Sequence, residues 1–186
     1  MDADYFSAVT RPPAVYRGNP FQIEVAIGYG GKLSAEEPIE LHRLANRVPL
    51  QYQRSACAIS KSVLSVDWKK YGLQQSRGAL PTGPATVFVH IASVWVPFTS
   101  ESKEAVASYP EIVKEIRLGL QEAGRRLGIF VRKRRRVADE LKKRSYIEKY
   151  IPAIGEALQE ILGFDDRKRD KTVANLKTVL ERSRKM

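Results

Sequence analysis

ATVFVHIASVWVPF, at residues 85–98, decides the fold of this chain, and TSESK at residues 99–103 follows it directly. The first stretch is apolar at nearly every position, with His90 and Ser93 as exceptions. A continuous apolar run of this length is typical of a central strand that is covered on both faces, or nearly so. The second stretch is polar and carries one cation, Lys103, before a long helical pattern begins. We therefore expect a sheet joined to a long helix by a polar loop.

The helical pattern opens with Ser108-Tyr109-Pro110-Glu111, which offers a serine N-cap, a proline in the first turn and a glutamate three residues after the cap. Apolar residues then recur at steps of three and four, which predicts an amphipathic helix. These residues are Ile112, Ile116, Leu120, Ala123, Leu127 and Phe130. Beyond Val131 apolar positions become few, so we expect the distal half to project as a stalk. From Ser108 to Arg144 the helix would span about 55 Å at about 1.5 Å per residue.

Two further strands and one helix are predicted upstream of the apolar run. Residues 21–29 alternate apolar and polar side chains, which indicates a strand with one buried face, and residues 39–44 give a second strand. Residues 55–66 predict a helix with Ser55 as its N-cap. Residues 1–19 contain several turn formers, so we expect an irregular lead-in.

Pro152 is expected to interrupt the long helix, because proline inside a helix removes a hydrogen bond and clashes with the preceding turn. Residues 154–161 and 173–180 each carry an apolar stripe at helical spacing, on either side of a charged loop at 165–170. Such stripes must be covered, so we expect the two short helices to pack on each other or on a partner. The predicted organisation is a sheet domain at 1–108, a stalk helix at 109–150 and partner-binding helices at 151–186.

The net charge of the 186 residues is +11, and it is unevenly distributed. Residues 125–149 alone hold 11 Lys and Arg against 3 Asp and Glu. A basic zone of this kind points to a polyanion, with nucleic acid as the first candidate, although a solvated helix face is the simpler alternative. No apolar run reaches the length of a membrane span, and we expect no signal peptide, because the first residues show no basic segment followed by an apolar one. With a single cysteine, Cys57, the simplest setting is a reducing cytosol.

Metal and catalytic signatures are weak in this sequence. His42 and His90 have no Cys, Asp or second His at metal-ligand spacing, so we expect no metal site and two structural histidines. Cys57 is expected to be a buried structural thiol. Nucleophile–base pairs and paired carboxylates at recognisable spacing are absent. From the residues alone we expect a small α+β domain with a basic helical extension rather than a self-contained enzyme.

Two basic segments are candidates for nucleic-acid binding. Trp68-Lys69-Lys70-Tyr71 combines aromatic rings that can stack on bases with lysines that can neutralise phosphates. An aromatic pair packed at a helix end, with its lysines in solvent, is the alternative. The second segment is the run Arg132-Lys133-Arg134-Arg135-Arg136 on the long helix.

Five segments together resemble the B subunit of archaeal DNA topoisomerase VI, a type IIB topoisomerase of the GHKL ATPase superfamily. They are Val15–Phe21, Arg43–Leu50, Asp67–Leu73, Val94–Glu104 and Lys149–Pro152. They occur in the same order and spacing as in that family, from about residue 5 to about residue 152. The resemblance is to the C-terminal transducer region only, because the ATP-binding motifs Asn-x-x-x-Asp and Asp-x-Gly-x-Gly are missing here.

The resemblance implies a ribosomal-protein-like α+β fold, with a four-stranded sheet and helices on one face. It implies a left-handed βαβ crossover, an exception to the usual rule, and a long C-terminal stalk helix. Only three strands are evident from the pattern, so the fourth is expected within residues 5–17 or 47–54.

The resemblance gives Lys103 a role. In GHKL transducers a lysine of this loop contacts the γ-phosphate of ATP, and here Thr99, Ser100 and Ser102 would form the switch loop around it. A compact ammonium on a flexible stem suits that contact, and loss of the γ-phosphate would release the loop. The alternative is an ordinary solvated lysine near a helix N-terminus, where its charge opposes the helix dipole.

The resemblance also implies partners and cofactors. ATP and Mg²⁺ would bind mainly to a domain that this chain lacks, and the DNA-cleaving tyrosine would belong to the A subunit, so the chain alone should be inactive. We expect the A subunit, a second B subunit in an ATP-dependent dimer, and double-stranded DNA as partners, without a membrane, in the cytoplasm near the nucleoid. Lys69 and Tyr71, with Trp68 and the loop residue Arg77, would couple DNA to the ATPase. The run from Arg132 to Arg136 would contact the DNA backbone.

The function implied is a transducer that relays ATP binding and hydrolysis to the DNA-cleaving A subunit during double-strand passage and relaxation of supercoils. A stand-alone basic nucleic-acid-binding protein of the same fold is the alternative. A third possibility is a structural adaptor in a meiotic-type DNA-break complex.

Overall fold

Residues 2–182 are described by the structure, which is a computed structural model. These residues form six strands, three α-helices and one short 3₁₀ helix at Trp68–Tyr71. The strands are β1 (Tyr5–Thr10), β2 (Ala14–Tyr16), β3 (Asn19–Tyr29), β4 (Glu40–Ala45), β5 (Val48–Pro49) and β6 (Ala85–Ser93). The α-helices are α1 (Ala58–Ser65), α2 (Pro110–Leu162) and α3 (Asp166–Arg182). The predicted α+β class is confirmed.

All six strands belong to one sheet with the order β1-β3-β6-β4-β5, and β2 also pairs with β3. The predicted strand count of four was therefore too low. A fourth strand was expected within residues 5–17 or 47–54, and both segments contain strands: β1 and β2 run antiparallel to β3, and β5 pairs with β4. The broader prediction of an irregular lead-in over residues 1–19 was wrong. Pro12 and Pro13 separate β1 and β2 instead of preventing them, because proline is tolerated between strands at a sheet edge.

One face of the sheet is buried under helices, as predicted. Along β3 the side chains of Phe21, Ile23, Val25 and Ile27 are buried, while the intervening Glu24 is exposed. Helix α2 lies directly on this face: a Cβ added to Gly119 would come within 2.9 Å of Cγ2 of Val25. The apolar seam predicted from Ile112 to Leu127 is buried, and Phe130 stacks on Tyr5 with ring centroids 4.5 Å apart.

Strand β6 ends earlier than its sequence suggested. The apolar run continues to Phe98, but the strand stops at Ser93, and Val94 and Trp95 are exposed. The side-chain amide of Asn46 takes the place of a neighbouring strand at this point: its Oδ1 accepts from the Ser93 N–H at 3.0 Å and its Nδ2 donates to the Ser93 carbonyl at 2.9 Å. The prediction that the strand extends to Phe98 was wrong for that reason.

Helix α1 connects β4 to β6, which run parallel, so the chain contains the predicted βαβ crossover. Its left-handed sense stays a prediction. The helix begins at Ala58 rather than near Ser55, and no side chain caps it. Instead the Ala58 N–H donates to the Val106 carbonyl at 2.8 Å, so the segment after the polar loop satisfies the helix end. Cys57, next to it, is buried as predicted.

Helix α2 runs through Pro152 to Leu162, so the predicted interruption was wrong. The helix is held on both sides of the proline, because Ile151 is buried and Gly155 contacts α3. A Cβ added to Gly155 would overlap Cγ2 of Val173, so the two helices approach closely at this point.

The chain divides into two compact units between Arg132 and Lys133. In the second unit the end of α2 packs against α3, so the predicted packing of the two helices on each other is confirmed. The contact runs through Gly155 and Val173, whereas Ile154 and Ile161 of the predicted stripe stay exposed. The supposed charged loop is mostly helical, because the Asp165 carboxylate accepts from the Lys168 N–H at 3.0 Å. Residues 183–186 of the predicted C-terminal segment lie outside the described residues.

Candidate functional site

The loop that carries Lys103 is a narrow hairpin with a buried base. Two backbone hydrogen bonds close it, from the Thr99 N–H to the Ala105 carbonyl at 2.9 Å and from the Ala107 N–H to the Pro97 carbonyl at 2.8 Å. Val106 and Ala105 are fully buried at this base. The hairpin is therefore anchored in the core of the first unit, while its tip remains free to meet another molecule.

The tip is a tight turn from Ser100 to Lys103. The Lys103 N–H donates to the Ser100 carbonyl at 3.2 Å, and the hydroxyls of Ser100 and Ser102 lie 2.7 Å apart. Lys103 has a φ of 54°, in the left-handed region that residues with a Cβ adopt only at a cost of about 1 kcal/mol or more. The lysine is exposed, as are Ser100 and Ser102, and within residues 2–182 it forms no salt bridge. An unpaired cation is thus held on a strained turn, with the exposed Thr99 at the start of the loop.

An exposed aromatic surface lies beside the base of this hairpin. Trp95 is 71% exposed, and it lines a cavity of about 360 Å³ together with Phe98, Tyr16, Tyr109 and Arg17. The two tyrosine rings stack with centroids 4.3 Å apart, and the Arg17 guanidinium lies 5.4 and 5.5 Å from their centroids. Loss of solvent around Tyr16, with the neighbouring Tyr109 hydroxyl, raises the pKa of Tyr16 to about 12. The phenol is therefore neutral, and the surface combines aromatic rings with the polar side chains of Arg17 and Asn19.

The sequence pattern did not identify this aromatic surface. Val94 and Trp95 belong to the apolar run, and the run gave no sign that the strand would end before them. Their exposure follows from the early end of β6, which depends on the distant Asn46.

The Trp68-Lys69-Lys70-Tyr71 segment is divided by the fold. Trp68 is completely buried, and its indole N–H donates to the Val63 carbonyl at 2.9 Å. Its ring therefore cannot stack on a base in this conformation. The structure matches the alternative stated from the sequence, in which the aromatic residues pack at a helix end and the lysines lie in solvent. Lys69 and Lys70 remain exposed, and Lys70 lies 3.5 Å from Asp67. Lysines, rather than the tryptophan, form the accessible part of the segment.

Tyr71 fixes this segment against helix α2. Its ring lies over Gly124, where an added Cβ would come within 2.5 Å of two ring carbons, and its Cα lies over Gly128. Only glycine leaves room for that approach, because any side chain at position 124 would overlap the ring. The 3₁₀ helix then ends at Gly72, whose φ of 96° favours glycine.

Replacing Gly124 with alanine is expected to destabilise the first unit by about 1–3 kcal/mol, because overpacking outweighs the gain of up to about 1 kcal/mol in helix propensity. The measurement is the free energy of unfolding in urea. The same substitution in a Tyr71→Ala background removes the overlap and should be neutral or stabilising. A similar loss in both backgrounds would show that the ring is not the cause.

Arg77 occupies the tip of a second loop, which is tied to the Trp68 segment. Gln74 and Thr82 close the loop through backbone bonds of 3.1 and 2.7 Å, and the Ala79 N–H donates to the Ser76 carbonyl at 3.1 Å. The Gln75 side chain accepts from the Trp68 N–H at 3.1 Å. Exposed Arg77 and the exposed lysines therefore belong to two connected segments of the first unit.

All five residues of the basic run from Arg132 to Arg136 are exposed on α2, but they do not form a single stripe. Consecutive residues of a helix are separated by about 100°, so five of them surround the helix axis. Arg132 is the member placed near the other basic segment. A Cβ added to Gly128 would lie 3.2 Å from Nη1 of Arg132 and 3.7 Å from the carbonyl oxygen of Lys70. The fold thus brings together basic residues that lie some sixty positions apart in the chain.

Both histidines have structural surroundings. His90 Nδ1 lies 2.8 Å from the Glu24 carboxylate and its Nε2 accepts from the Arg47 N–H at 3.0 Å, while His42 stacks on Phe88. Among residues 2–182 no group of three or more His, Cys, Asp or Glu side chains could hold a metal ion. In the same part of the chain, no helix is long and apolar enough to cross a membrane.

Comparison with known proteins places the chain in a family. A family model described as "Topoisomerase VI B subunit, transducer" matches residues 1–144. The B subunit of type 2 DNA topoisomerase 6 from Archaeoglobus fulgidus is 45% identical over 93% of this chain and 29% of that protein. The corresponding proteins of Methanococcoides burtonii and Pyrococcus furiosus are 42% and 40% identical, over 89% of this chain in each case and 26% and 28% of theirs. The chain therefore spans less than a third of the length of these relatives.

Among solved structures, the B subunit of DNA gyrase from Myxococcus xanthus shares 20% sequence identity. The match covers 62% of this chain and 32% of the gyrase chain, with a TM-score of 0.39, a likeness too remote to add to the assignment. The family match over residues 1–144 and the topoisomerase 6 relatives confirm the resemblance seen in the five sequence segments. The chain belongs to the transducer family of the topoisomerase VI B subunit.

Proposed function

We propose that this chain is the transducer of a type IIB DNA topoisomerase, which relays ATP binding and hydrolysis to the DNA-cleaving A subunit. The relay would serve double-strand passage and relaxation of supercoils. The observation that carries the proposal is the exposed, unpaired Lys103 on a strained tip whose base is buried. ATP and Mg²⁺ would be bound mainly by the remainder of a B subunit, in keeping with the small share of the relatives that this chain spans.

A displacement of the hairpin tip would be transmitted to helix α1 and to the start of helix α2. The Val106 carbonyl accepts from the first N–H of α1, and the chain then enters α2 only four residues later, at Pro110. A γ-phosphate that binds Lys103 would favour one position of the tip, and its loss on hydrolysis would release that position. Thr99, Ser100 and Ser102 would form the polar walls of the switch loop.

The aromatic surface beside the hairpin supports an interface with the ATP-binding domain. Trp95 is 71% exposed and lines this surface together with Phe98 and Tyr109, and exposed apolar surface of this kind marks interaction sites. An ATP-binding domain seated there would bring its nucleotide to Lys103. Dimerisation with a second B subunit when ATP binds is part of the same proposal.

The A subunit would bind the second unit of the chain. Four apolar residues at steps of three, four and seven form an exposed stripe along the end of α2. They are Ile147, Tyr150, Ile154 and Ile161, which are 38%, 49%, 44% and 77% exposed. Under this proposal the functional segments are the sheet domain at 1–108, the connecting helix at 109–150 and the partner-binding helices at 151–186.

Double-stranded DNA would contact the exposed basic residues through its phosphates. Lys69, Arg77 and Arg132 are the proposed contacts of the first unit, while Trp68 and Tyr71 would position Lys69 from within the fold. The run of residues 133–136 would add further phosphate contacts. Such contacts carry no sequence information, so binding should be equally strong on unrelated sequences and fall steeply with salt.

A stand-alone nucleic-acid-binding protein is the second candidate, favoured by the net charge of +11 and the exposed basic run. It would bind DNA or RNA tightly and need no partner subunit. The first candidate implies an intracellular location in the cytoplasm, close to the nucleoid.

A pulldown with the purified A subunit separates the two candidates. We expect stable binding of the A subunit and only weak, salt-sensitive binding of duplex DNA. Ile154→Asp should reduce binding of the A subunit by at least about tenfold, because a carboxylate at the centre of an apolar interface costs more than about 1.4 kcal/mol. Ile129→Asp is the matched control, since Ile129 is 63% exposed on the part of α2 that belongs to the first unit, outside the proposed partner-binding helices. Tight DNA binding without any binding of the A subunit would favour the second candidate.

A further inference from the structure

Arg43 is a charged residue inside the fold that the proposed relay does not use. It lies on β4 and is only 3% exposed. Its Nη2 donates to the carbonyls of Leu50 at 2.7 Å and Tyr52 at 2.9 Å, so it orders the segment that follows β5. Its Nη1 is buried and, within the described part of the chain, has no hydrogen-bond partner. A buried donor left without a partner is expensive, and more so on a charged group.

Arg43 lines a cavity of about 380 Å³, and a second arginine, Arg54, lines it as well. The remaining wall is largely apolar and contains no aspartate or glutamate. It consists of Leu41, His42, Leu44, Pro49, Leu50, Gln51 and Phe88. Glu40 immediately precedes Leu41 on β4, and its carboxylate lies 3.5 Å from Nε2 of His42. Within residues 2–182 neither arginine forms a salt bridge with a carboxylate. The cavity therefore combines two uncompensated guanidinium groups with apolar surface.

The cavity lies along an open edge of the sheet. Strand β4 is paired with β5 only at Leu44 and Ala45, so its outer edge between Glu40 and His42 has no neighbouring strand in the described residues. The Arg43 carbonyl accepts from the Leu50 N–H at 2.8 Å on this outer side. Because alternate residues of a strand direct their backbone groups to the same edge, the amide of Leu41 also faces outward. An extended peptide can pair with such an edge and place alternate side chains beside it.

We propose that the β4 edge binds an extended acidic peptide segment of a partner protein, with one of its carboxylates between Arg43 and Arg54. A carboxylate accepts two parallel N–H bonds from a guanidinium, which would satisfy the buried Nη1. The apolar walls would receive the stem of that residue and its neighbours. Duplex DNA fits less well, because its phosphates lie on a stiff, convex surface and do not reach a recessed donor. This proposal is independent of the ATP relay.

The test uses the full chain and two fluorescein-labelled hexapeptides, one alternating Val and Glu and the other alternating Val and Gln. In fluorescence anisotropy we expect the Glu peptide to bind at least about tenfold more tightly than the Gln peptide. Arg54→Gln should lose at least about tenfold in affinity for the Glu peptide, whereas Arg125→Gln, which removes an exposed arginine from α2, should bind normally. Binding should also shift the amide resonance of Leu41 in a ¹⁵N spectrum.

Arg43→Gln is a less clean variant, since it also removes the bonds to the Leu50 and Tyr52 carbonyls. Arg54→Gln therefore decides the result, and an unchanged melting temperature shows that it leaves the fold intact. Equal affinity for the two peptides, or full affinity of Arg54→Gln for the Glu peptide, would overturn the proposal. Loss of duplex DNA affinity in Arg54→Gln without an effect on the peptide would assign the cavity to nucleic acid and overturn it too.

Discussion

Replacing Lys103 with alanine is expected to lower kcat for ATP hydrolysis by about 10²–10³ in an assembled enzyme that contains this transducer. A preorganised cation aimed at a site of developing charge typically contributes that much, because it acts where water is excluded. Lys103 fits this role: it lies on a hairpin tip with a φ of 54° and, in the described residues, forms no salt bridge. Strand passage should fall in parallel, since under the proposed function the relay begins at this contact.

Fold and assembly should survive the substitution. The base of the hairpin is held by backbone bonds at Thr99 and Ala107, which do not involve the lysine side chain. Thermal unfolding and binding of the A subunit should therefore be unchanged. Arg125→Ala, which removes an exposed cation from α2, is the matched control and should hydrolyse ATP at the normal rate. If Lys103→Ala also hydrolyses ATP normally, the switch assignment fails.

Replacing Trp68 with alanine is expected to destabilise the first unit by about 3–5 kcal/mol, the usual cost of removing a large buried aromatic side chain. Trp68 is fully buried, and its indole N–H bonds to the Val63 carbonyl at 2.9 Å, so the substitution leaves a cavity and removes a donor from that carbonyl. Urea denaturation followed by near-ultraviolet circular dichroism measures the loss, because that signal reports on tertiary packing.

The chain supplies its own control, since it contains two tryptophans. Trp95 is 71% exposed, and Trp95→Ala should change the free energy of unfolding by no more than about 0.5 kcal/mol. If the two variants were equally stable, Trp68 would not be a core residue. If Trp68→Ala folded normally but lost DNA affinity, the residue would contact DNA directly, contrary to its buried position.

The central elements could be predicted from the sequence because their signals are local. The alternation in residues 21–29 and the seam from Ile112 to Leu127 correspond to β3 and to the buried face of α2. The polar loop around Lys103 was also evident, since a proline and hydroxyl residues interrupt an apolar run. Its chemical role, in contrast, came from the resemblance of five segments to a family and is still a proposal.

Other features depend on segments that are distant in the chain. β1 and β2 form because β3 offers a free edge, which the turn formers of residues 1–19 do not reveal. Helix α2 continues past Pro152 because packing around Ile151 and Gly155 holds it there. Local propensity favoured a break, and tertiary contacts outweighed it.

The sequence by itself determined the positions of three main strands along the chain, the long amphipathic helix and the position of the loop with Lys103. Only the tertiary structure decided that Trp68 is buried while Lys69 is exposed, and that Arg43 shares a cavity with Arg54. The physical reason is that periodicity belongs to neighbouring residues, whereas burial and cavities depend on which segments meet. For the same reason, the sequence predicted only a polar loop at this position, whereas the structure shows a hairpin with a strained tip and a buried base.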